Sequence, residues 1–216
     1  MGLQYDPKVA VAVLAKVDES LAELIRRVGP FTLQVRPIDT PFQALLRAII
    51  YQQLSGIAAA AIHDRMLARF HGLPPTPQQI LDTPDEQLRE AGVSLAKVAA
   101  IKDLAAKTLD GIVPSLEEMQ GMDDTEIMHR LIAVRGIGRW TVEMLLIFHL
   151  GRPDVLPTSD LGIRKGFMLT YGLDALPSPA AIQTHGGRWR PYRSVASWYL
   201  WRAVELEDRT ATGGDW

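Results

Sequence analysis

Helix-starting signals recur along this chain at short intervals, and they limit its fold more than any other feature. Thr40-Pro41 supplies an N-cap and a pre-set first helical position, followed by a helical stripe of Phe42, Leu45, Leu46, Ile49 and Ile50. Thr83-Pro84-Asp85-Glu86 reads as a capping box with Pro at the first helical position, and Gly92 closes that helix. Ser94 is placed to cap the next, which carries Val98, Ile101, Leu104 and Leu109 before Gly111 stops it. Ser115-Leu116-Glu117-Glu118 is a second capping box, and Ser178-Pro179 with Gly186 brackets a further short helix. Against these stands one strand candidate, Phe31 to Arg36, in which Phe31, Leu33 and Val35 alternate with polar residues. One short strand cannot make a sheet. Pro74-Pro75-Thr76-Pro77 reads as a linker or stiff loop. The expected fold class is all-α, with helices of about 8–15 residues joined by short loops.

At 216 residues the chain suits one domain or two small lobes sharing a core. It has no cysteine, which excludes disulfides, thiolate catalysis and cysteine-ligated zinc or iron–sulfur clusters. The longest apolar stretch, Ala44 to Ile62, is interrupted by Arg47, Gln52 and Gln53, short of the roughly 18 residues a membrane span needs. The start, Met-Gly-Leu-Gln-Tyr-Asp, lacks the basic and apolar regions of a secretory signal, and Asp6 stands where a myristoylation signal wants Ser or Thr. A cytoplasmic protein is expected, nucleoid-associated in a bacterium. The five histidines show no metal-ligand spacing. Nothing resembles a coiled-coil seam, so a monomer is expected.

The net charge is only −2, but it is segregated. Gly111 to Met128 holds Glu117, Glu118, Asp123, Asp124 and Glu126 without a Lys or Arg, whereas His185 to Arg202 holds Arg188, Arg190, Arg193 and Arg202 without an acid. Such a chain can present a basic face to phosphates, although ordinary solvated helix faces would look the same.

The segment Leu131-Ile132-Ala133-Val134-Arg135-Gly136-Ile137-Gly138-Arg139-Trp140-Thr141 is the most informative. One helix should end near Ala133 and another begin near Gly138, joined by Gly-Ile-Gly. Two glycines allow positive φ and leave no Cβ between backbone and ligand. The amides of such a turn, with the dipole of the following helix, form an anion site. Ile137 would anchor the turn in the core. A plain αα-hairpin, with glycines for tight packing, fits the same segment.

This segment resembles the helix-hairpin-helix of the HhH-GPD superfamily of base-excision glycosylases, most closely the alkylbase branch. Two departures are Arg135 in place of the usual Pro before the first glycine, and Val142 in place of Ala after Thr141. A second signature of that family, a Pro closely followed by a catalytic Asp, matches Pro157-Thr158-Ser159-Asp160, with Asp160 twenty residues past Trp140. Tyr51-Gln52-Gln53-Leu54-Ser55, Val93-Ser94-Leu95-Ala96-Lys97 with Ile101 and Leu104, and Trp189-Arg190-Pro191-Tyr192-Arg193-Ser194 with Tyr199 and Trp201 resemble further segments of the same branch. The resemblance spans roughly Thr40 to Arg202.

The resemblance implies a helical glycosylase of two lobes, 40–150 with the hairpin at about 125–150, and 1–39 plus 151–216, with DNA bound across the cleft between them. A β-rich N-terminal domain found in larger relatives is not expected, since only about 35 residues precede the first matching helix. Asp160 would be the catalytic carboxylate, stabilising an oxocarbenium-like transition state at the sugar; a helix cap is what an Asp at such a position more often supplies. Trp140 and Trp201 would line the base pocket, where electron-rich faces attract the cationic 3-methyladenine or 7-methylguanine. Trp140 occupies the position of the Schiff-base lysine in bifunctional members, so a monofunctional enzyme without abasic-site lyase activity is implied. Gln53, with Leu54 beside it, would fill the gap left by an extruded base. Gly136, Ile137, Gly138, Arg139 and Thr141 would bind DNA phosphate, and the carbonyls of Ile132, Val134 and Ile137 would offer a site for a structural Na⁺ or K⁺, with no cofactor otherwise required and no iron–sulfur cluster. Trp189 and Trp198 are expected in the core or pocket wall, and Arg193 is expected to tie the two lobes together. The expected partner is double-stranded DNA carrying alkylated bases. Another damaged base, or a non-catalytic helix-hairpin-helix DNA binder, are the alternatives.

Overall fold

The computed structural model describes residues 2–211, and every regular element among them is helical. The chain divides into two compact units, Pro37–Leu145 and Met1–Arg36 with Leu146–Trp216. Two helices that went unrecognised in the sequence open it: α1 (Pro7–Val17) and α2 (Glu19–Val28). Their signals were present. The Asp6 carboxylate accepts from the Lys8 and Val9 amides with Pro7 at the first helical position, and Asp18 caps α2 by accepting from the Leu21 amide.

The expected strand at 31–36 is extended coil. The Arg36 N–H donates to the Phe148 carbonyl at 2.8 Å, but no ladder follows. The alternation marks packing instead: Leu33 is buried, and Phe31 meets Trp198 edge-on with ring centres 4.9 Å apart. Period-two burial against aromatic rings needs no second strand.

The unit Pro37–Leu145 carries α3 (Pro41–Tyr51), α4 (Gly56–Arg69), α5 (Pro77–Asp82), α6 (Asp85–Glu90), α7 (Leu95–Leu109), α8 (Leu116–Gly121), α9 (Asp124–Ile132) and most of α10 (Arg139–Phe148). At its centre lies α7, packed against α3, α5 and α6, with Val98, Ile101, Leu104 and Ala105 fully buried. Thr40, Ser94 and Ser115 cap α3, α7 and α8 as their spacing predicts. Thr83 does not cap α6. Its hydroxyl turns back to the Gln79 carbonyl at 2.7 Å, ending α5, and Pro84 precedes α6 without a side-chain cap. The proline-rich stretch is likewise more than a linker: Thr76 and Gln79 form a reciprocal capping box, and Pro77 starts α5.

In the other unit α11 (Leu161–Tyr171), α12 (Pro179–His185), a 3-10 turn (Gly186–Trp189) and α13 (Arg193–Ala211) pack with α1 and α2. The α11–α13 contact is close because of Gly166: a Cβ there would lie 1.9 Å from the Leu200 carbonyl oxygen. Beneath this pair, the buried Asp18 carboxylate accepts from Tyr171 Oη at 2.7 Å and from Trp189 Nε1 at 2.9 Å, with His185 Nε2 also at 2.9 Å. One acid thereby joins α2, α11, α12 and the 3-10 turn. Trp189 is fully buried and Trp198 nearly so.

Arg193 does not link the two units. Its guanidinium grips Asp154 of its own unit, Nε to Oδ1 at 2.6 Å and Nη2 to Oδ2 at 3.0 Å, pinning the start of α13 to the preceding loop. Arg190 shares that carboxylate at 2.9 Å, and Arg202 pairs with Glu205. The basic segment is therefore largely answered by acids of its own unit, Asp154 before α13 and Glu205 within it, which a charge count over that segment does not reveal. No helix among the described residues is long and apolar enough to cross a membrane.

Candidate functional site

The hairpin forms where the sequence places it. Helix α9 ends at Ile132 with Ala133 as its C-cap, and α10 starts at Arg139. Val134 and Ile137 are buried and hold the turn to the core, with the Ile137 N–H donating to the Val134 carbonyl at 3.1 Å. Gly136 has φ +79°, and a Cβ there would stand 3.1 Å from Ala100 of α7. Gly138 is exposed, with nothing within 4 Å of where a Cβ would be. The first turn of any α-helix leaves N–H groups without intrahelical partners, so α10 begins with donors and a positive dipole end at an open glycine.

Arg139 is exposed but paired, Nε donating to the buried Glu143 carboxylate at 2.9 Å. Thr141 is buried, which leaves its hydroxyl little surface for a ligand. Arg135 uses the N–H that a proline would lack: it donates to Asp103 Oδ2 at 2.7 Å. Burial pushes the Asp103 carboxyl up, but that amide and the Lys107 ammonium outweigh it and hold its pKa below the ordinary carboxylate value. Lys107 also donates to the Ala133 carbonyl at the end of α9. The departure from the family pattern at 135 is thus met by α7.

Gln53 and Leu54 lie in the exposed link between α3 and α4. Gln53 has φ +56°, a left-handed conformation that costs a residue with a Cβ about 1–2 kcal/mol. Leu54 is 40% exposed, and Ile57, at the start of α4, is 88% exposed. The link is braced from below. Lys97 Nζ donates to the carbonyls of Ile50 at 2.7 Å and Gln52 at 2.8 Å, and burial holds the Lys97 pKa below the ordinary lysine value. Gln52 Nε2 donates to the Gly136 carbonyl at 2.8 Å, so the link and the hairpin touch. Trp140, in the first turn of α10, is 47% exposed.

In the second unit Asp160 is the N-cap of α11, half-buried, and its Oδ1 accepts from the Ile163 amide at 2.8 Å and from Trp201 Nε1 at 2.9 Å. Capping and site geometry therefore coexist in one side chain. Trp201 stacks on Phe148 with ring centres 5.6 Å apart and planes 29° apart. Gly162 makes this possible, since a Cβ there would meet Trp201 Cδ1 at 2.8 Å and Asp160 Oδ1 at 3.0 Å. Asp160 and Trp201 are brought together by the fold. Phe148, Gly162, Gln52 and Lys97 were not singled out as functional from the sequence. Gly162 and Gly166, four apart on one helix face, were the legible signal for the close approach of α11 to α13.

A family model described as HhH-GPD superfamily base excision DNA repair protein matches residues 46–191. A Schizosaccharomyces pombe protein named DNA-3-methyladenine glycosylase 1 is 38% identical over 200 residues, 91% of this chain and 87% of the relative. Another from the same organism, an alkylbase DNA glycosidase-like protein, is 34% identical over 95% of this chain and 98% of its own length. Among solved structures, a Schizosaccharomyces pombe 3-methyladenine DNA glycosylase in complex with abasic DNA aligns with TM-score 0.81 and 37% identity, over 92% of this chain and 98% of that one. A DNA-3-methyladenine glycosidase of Bacillus halodurans aligns with TM-score 0.84 and 35% identity, over 94% and 92%.

Proposed function

Because the chain belongs to the HhH-GPD superfamily of base excision DNA repair proteins, we propose that it is a monofunctional DNA glycosylase that hydrolyses the glycosidic bond of alkylated bases, chiefly 3-methyladenine, in double-stranded DNA. The observation that carries this reading is the pairing of Asp160 with Trp201. A half-buried carboxylate is held in one orientation by two N–H donors, and an indole lies directly against it.

In the reaction the C1′–N bond breaks with its electron pair leaving on the base. Water adds at C1′ and gives up a proton to solvent, leaving an abasic site and the free base. Positive charge builds on the sugar in the transition state, and the Asp160 carboxylate stabilises it. A purine nucleotide methylated at N3 or N7 is already cationic, so its loss as a neutral base needs less assistance, and an electron-rich indole face such as that of Trp201 or Trp140 attracts such a charge before it leaves. With indole at 140 no amine is supplied there to attack C1′, so the strand stays intact. Gln53 and Leu54 fill the space of the flipped nucleotide. The hairpin around Gly136, Ile137 and Gly138 holds a backbone phosphate by amides and helix dipole.

Carbonyl oxygens are hard donors of the kind hard cations take; those of Ile132, Val134 and Ile137, the Val134 one also accepting the Ile137 N–H, would hold a Na⁺ or K⁺ that supplies positive charge to the phosphate site. Acting on chromosomal DNA, the protein would work in the cytoplasm, at the nucleoid in a bacterium. Incubation with DNA treated by a methylating agent, followed by chromatography of the released bases, tests the reading. Free 3-methyladenine from strands that break only on later alkali treatment is expected; release of no methylated base would overturn it.

A further inference from the structure

The segment expected to enter the duplex and the turn expected to hold its backbone are joined by one side chain. Gln52 closes α3, immediately before the left-handed Gln53, and its amide nitrogen reaches the Gly136 carbonyl across 84 residues of sequence. Both ends of that bond are further supported from α7. Lys97 donates to the carbonyls of Ile50 and Gln52, Ala100 abuts Gly136, and Asp103 and Lys107 hold the Arg135 amide and the Ala133 carbonyl. Positions 97, 100, 103 and 107 follow the three- and four-residue steps of a single helix face. One rigid helix thus carries the wedge and the hairpin together, and Gln52 is the direct tie between them.

We propose that Gln52 is a positioning residue that sets the wedge Gln53-Leu54 at a fixed separation from the phosphate-holding hairpin, so that gripping the backbone and entering the base stack occur as one event. The proposal rests on the glycosylase reading above. Its chemistry is a distance constraint: the hairpin anchors one phosphate, and the wedge must then meet the stack at the neighbouring nucleotide. Without the tie, the wedge turn can relax from its left-handed conformation and the energy of the phosphate contact no longer serves duplex opening.

The step affected is base extrusion, which is easiest where the target is already mispaired. The test compares release of the same methylated purine from a fully paired duplex and from one in which it lies opposite an abasic site. Gln52→Ala should lower the single-turnover rate on the paired duplex by about two- to tenfold, the range for one lost hydrogen bond. The loss should shrink below about twofold on the pre-opened duplex by the same reasoning. A 2-aminopurine next to the lesion should brighten less with the variant than with the wild type, reporting weaker unstacking. Gln52→Glu keeps the side-chain length but sets a carboxylate against the Gly136 carbonyl, and should reproduce the substrate-dependent loss if the alanine variant proves unstable. Equal losses on both duplexes, or no loss on either, would overturn the proposal. Failure of the wild type to release base from either duplex would instead overturn the glycosylase reading.

Discussion

At the scale of single residues, Asp160 caps α11 and is also the proposed catalytic carboxylate, two roles that compete in a sequence reading. As an N-cap it accepts the Ile163 amide, and on the same oxygen it accepts the Trp201 indole. Replacing it separates the roles, because Asn caps a helix about as well as Asp but carries no charge. Asp160→Asn should keep the thermal midpoint within a few degrees while slowing base release by about a hundredfold or more, as loss of a preorganised electrostatic group does; near-normal single-turnover rates would remove Asp160 from the mechanism. Trp201→Phe keeps an aromatic ring on Phe148 but deletes the N–H that steadies the carboxylate. A hydrogen bond to a charged acceptor is worth about 1.5–3 kcal/mol, so release should slow by roughly tenfold or somewhat more, measured under the same conditions. The carboxylate was legible only through the family resemblance, from Pro157 and the spacing after the hairpin. Its indole partner was legible only as a pocket aromatic, because nothing in the linear order of 160 and 201 reveals a bond between them.

At the scale of elements, two glycines on α11 determine how closely α13 approaches. Gly166 meets the Leu200 backbone and Gly162 meets a side chain. A backbone carbonyl cannot step aside without moving a helix, whereas an indole can tilt. Gly166→Ala should therefore destabilise the protein, by about 1–3 kcal/mol as overpacking does, visible as a lower urea midpoint. Gly162→Ala should cost less stability but displace Trp201 from Asp160, lowering the release rate more than the midpoint; the reverse order for the two variants would contradict this account. The helices themselves were largely readable, since Ser, Thr and Asp caps act within four residues of sequence. Where the reading erred, one cause was local and one tertiary. Thr83 had two neighbouring helices to serve and turned to the earlier one, and the alternation at 31–36 arose from aromatic packing in the absence of a ladder.

At the scale of the whole molecule, the buried Asp18 carboxylate is the junction of the unit that carries Asp160. Burial alone would raise its pKa, but hydrogen bonds from Tyr171, Trp189, the Leu21 amide and His185 outweigh that and hold it below the ordinary carboxylate value. A depressed folded-state value means this group's contribution is fully present above the unfolded pKa of about 4 and is lost as pH falls through the folded value. Chemical denaturation followed from pH 6 downward should show a stability loss in the acid range that is smaller in Asp18→Asn. The same variant, with one donor-only amide nitrogen set among donors, should be less stable than wild type by about 1–3 kcal/mol at pH 6. The sequence by itself determined the helical class, several helix starts and the glycine hairpin, because capping, periodicity and backbone freedom act over a few residues; the candidate carboxylate followed from the family resemblance. Only the tertiary structure decided that Trp201 donates to Asp160, that α7 supports both the Gln53-Leu54 link and the hairpin, that Arg135 finds Asp103, and that Arg190 and Arg193 share Asp154. Those pairings depend on which distant surfaces bury each other, and hydrogen bonds of that kind are chosen by packing rather than by position along the chain.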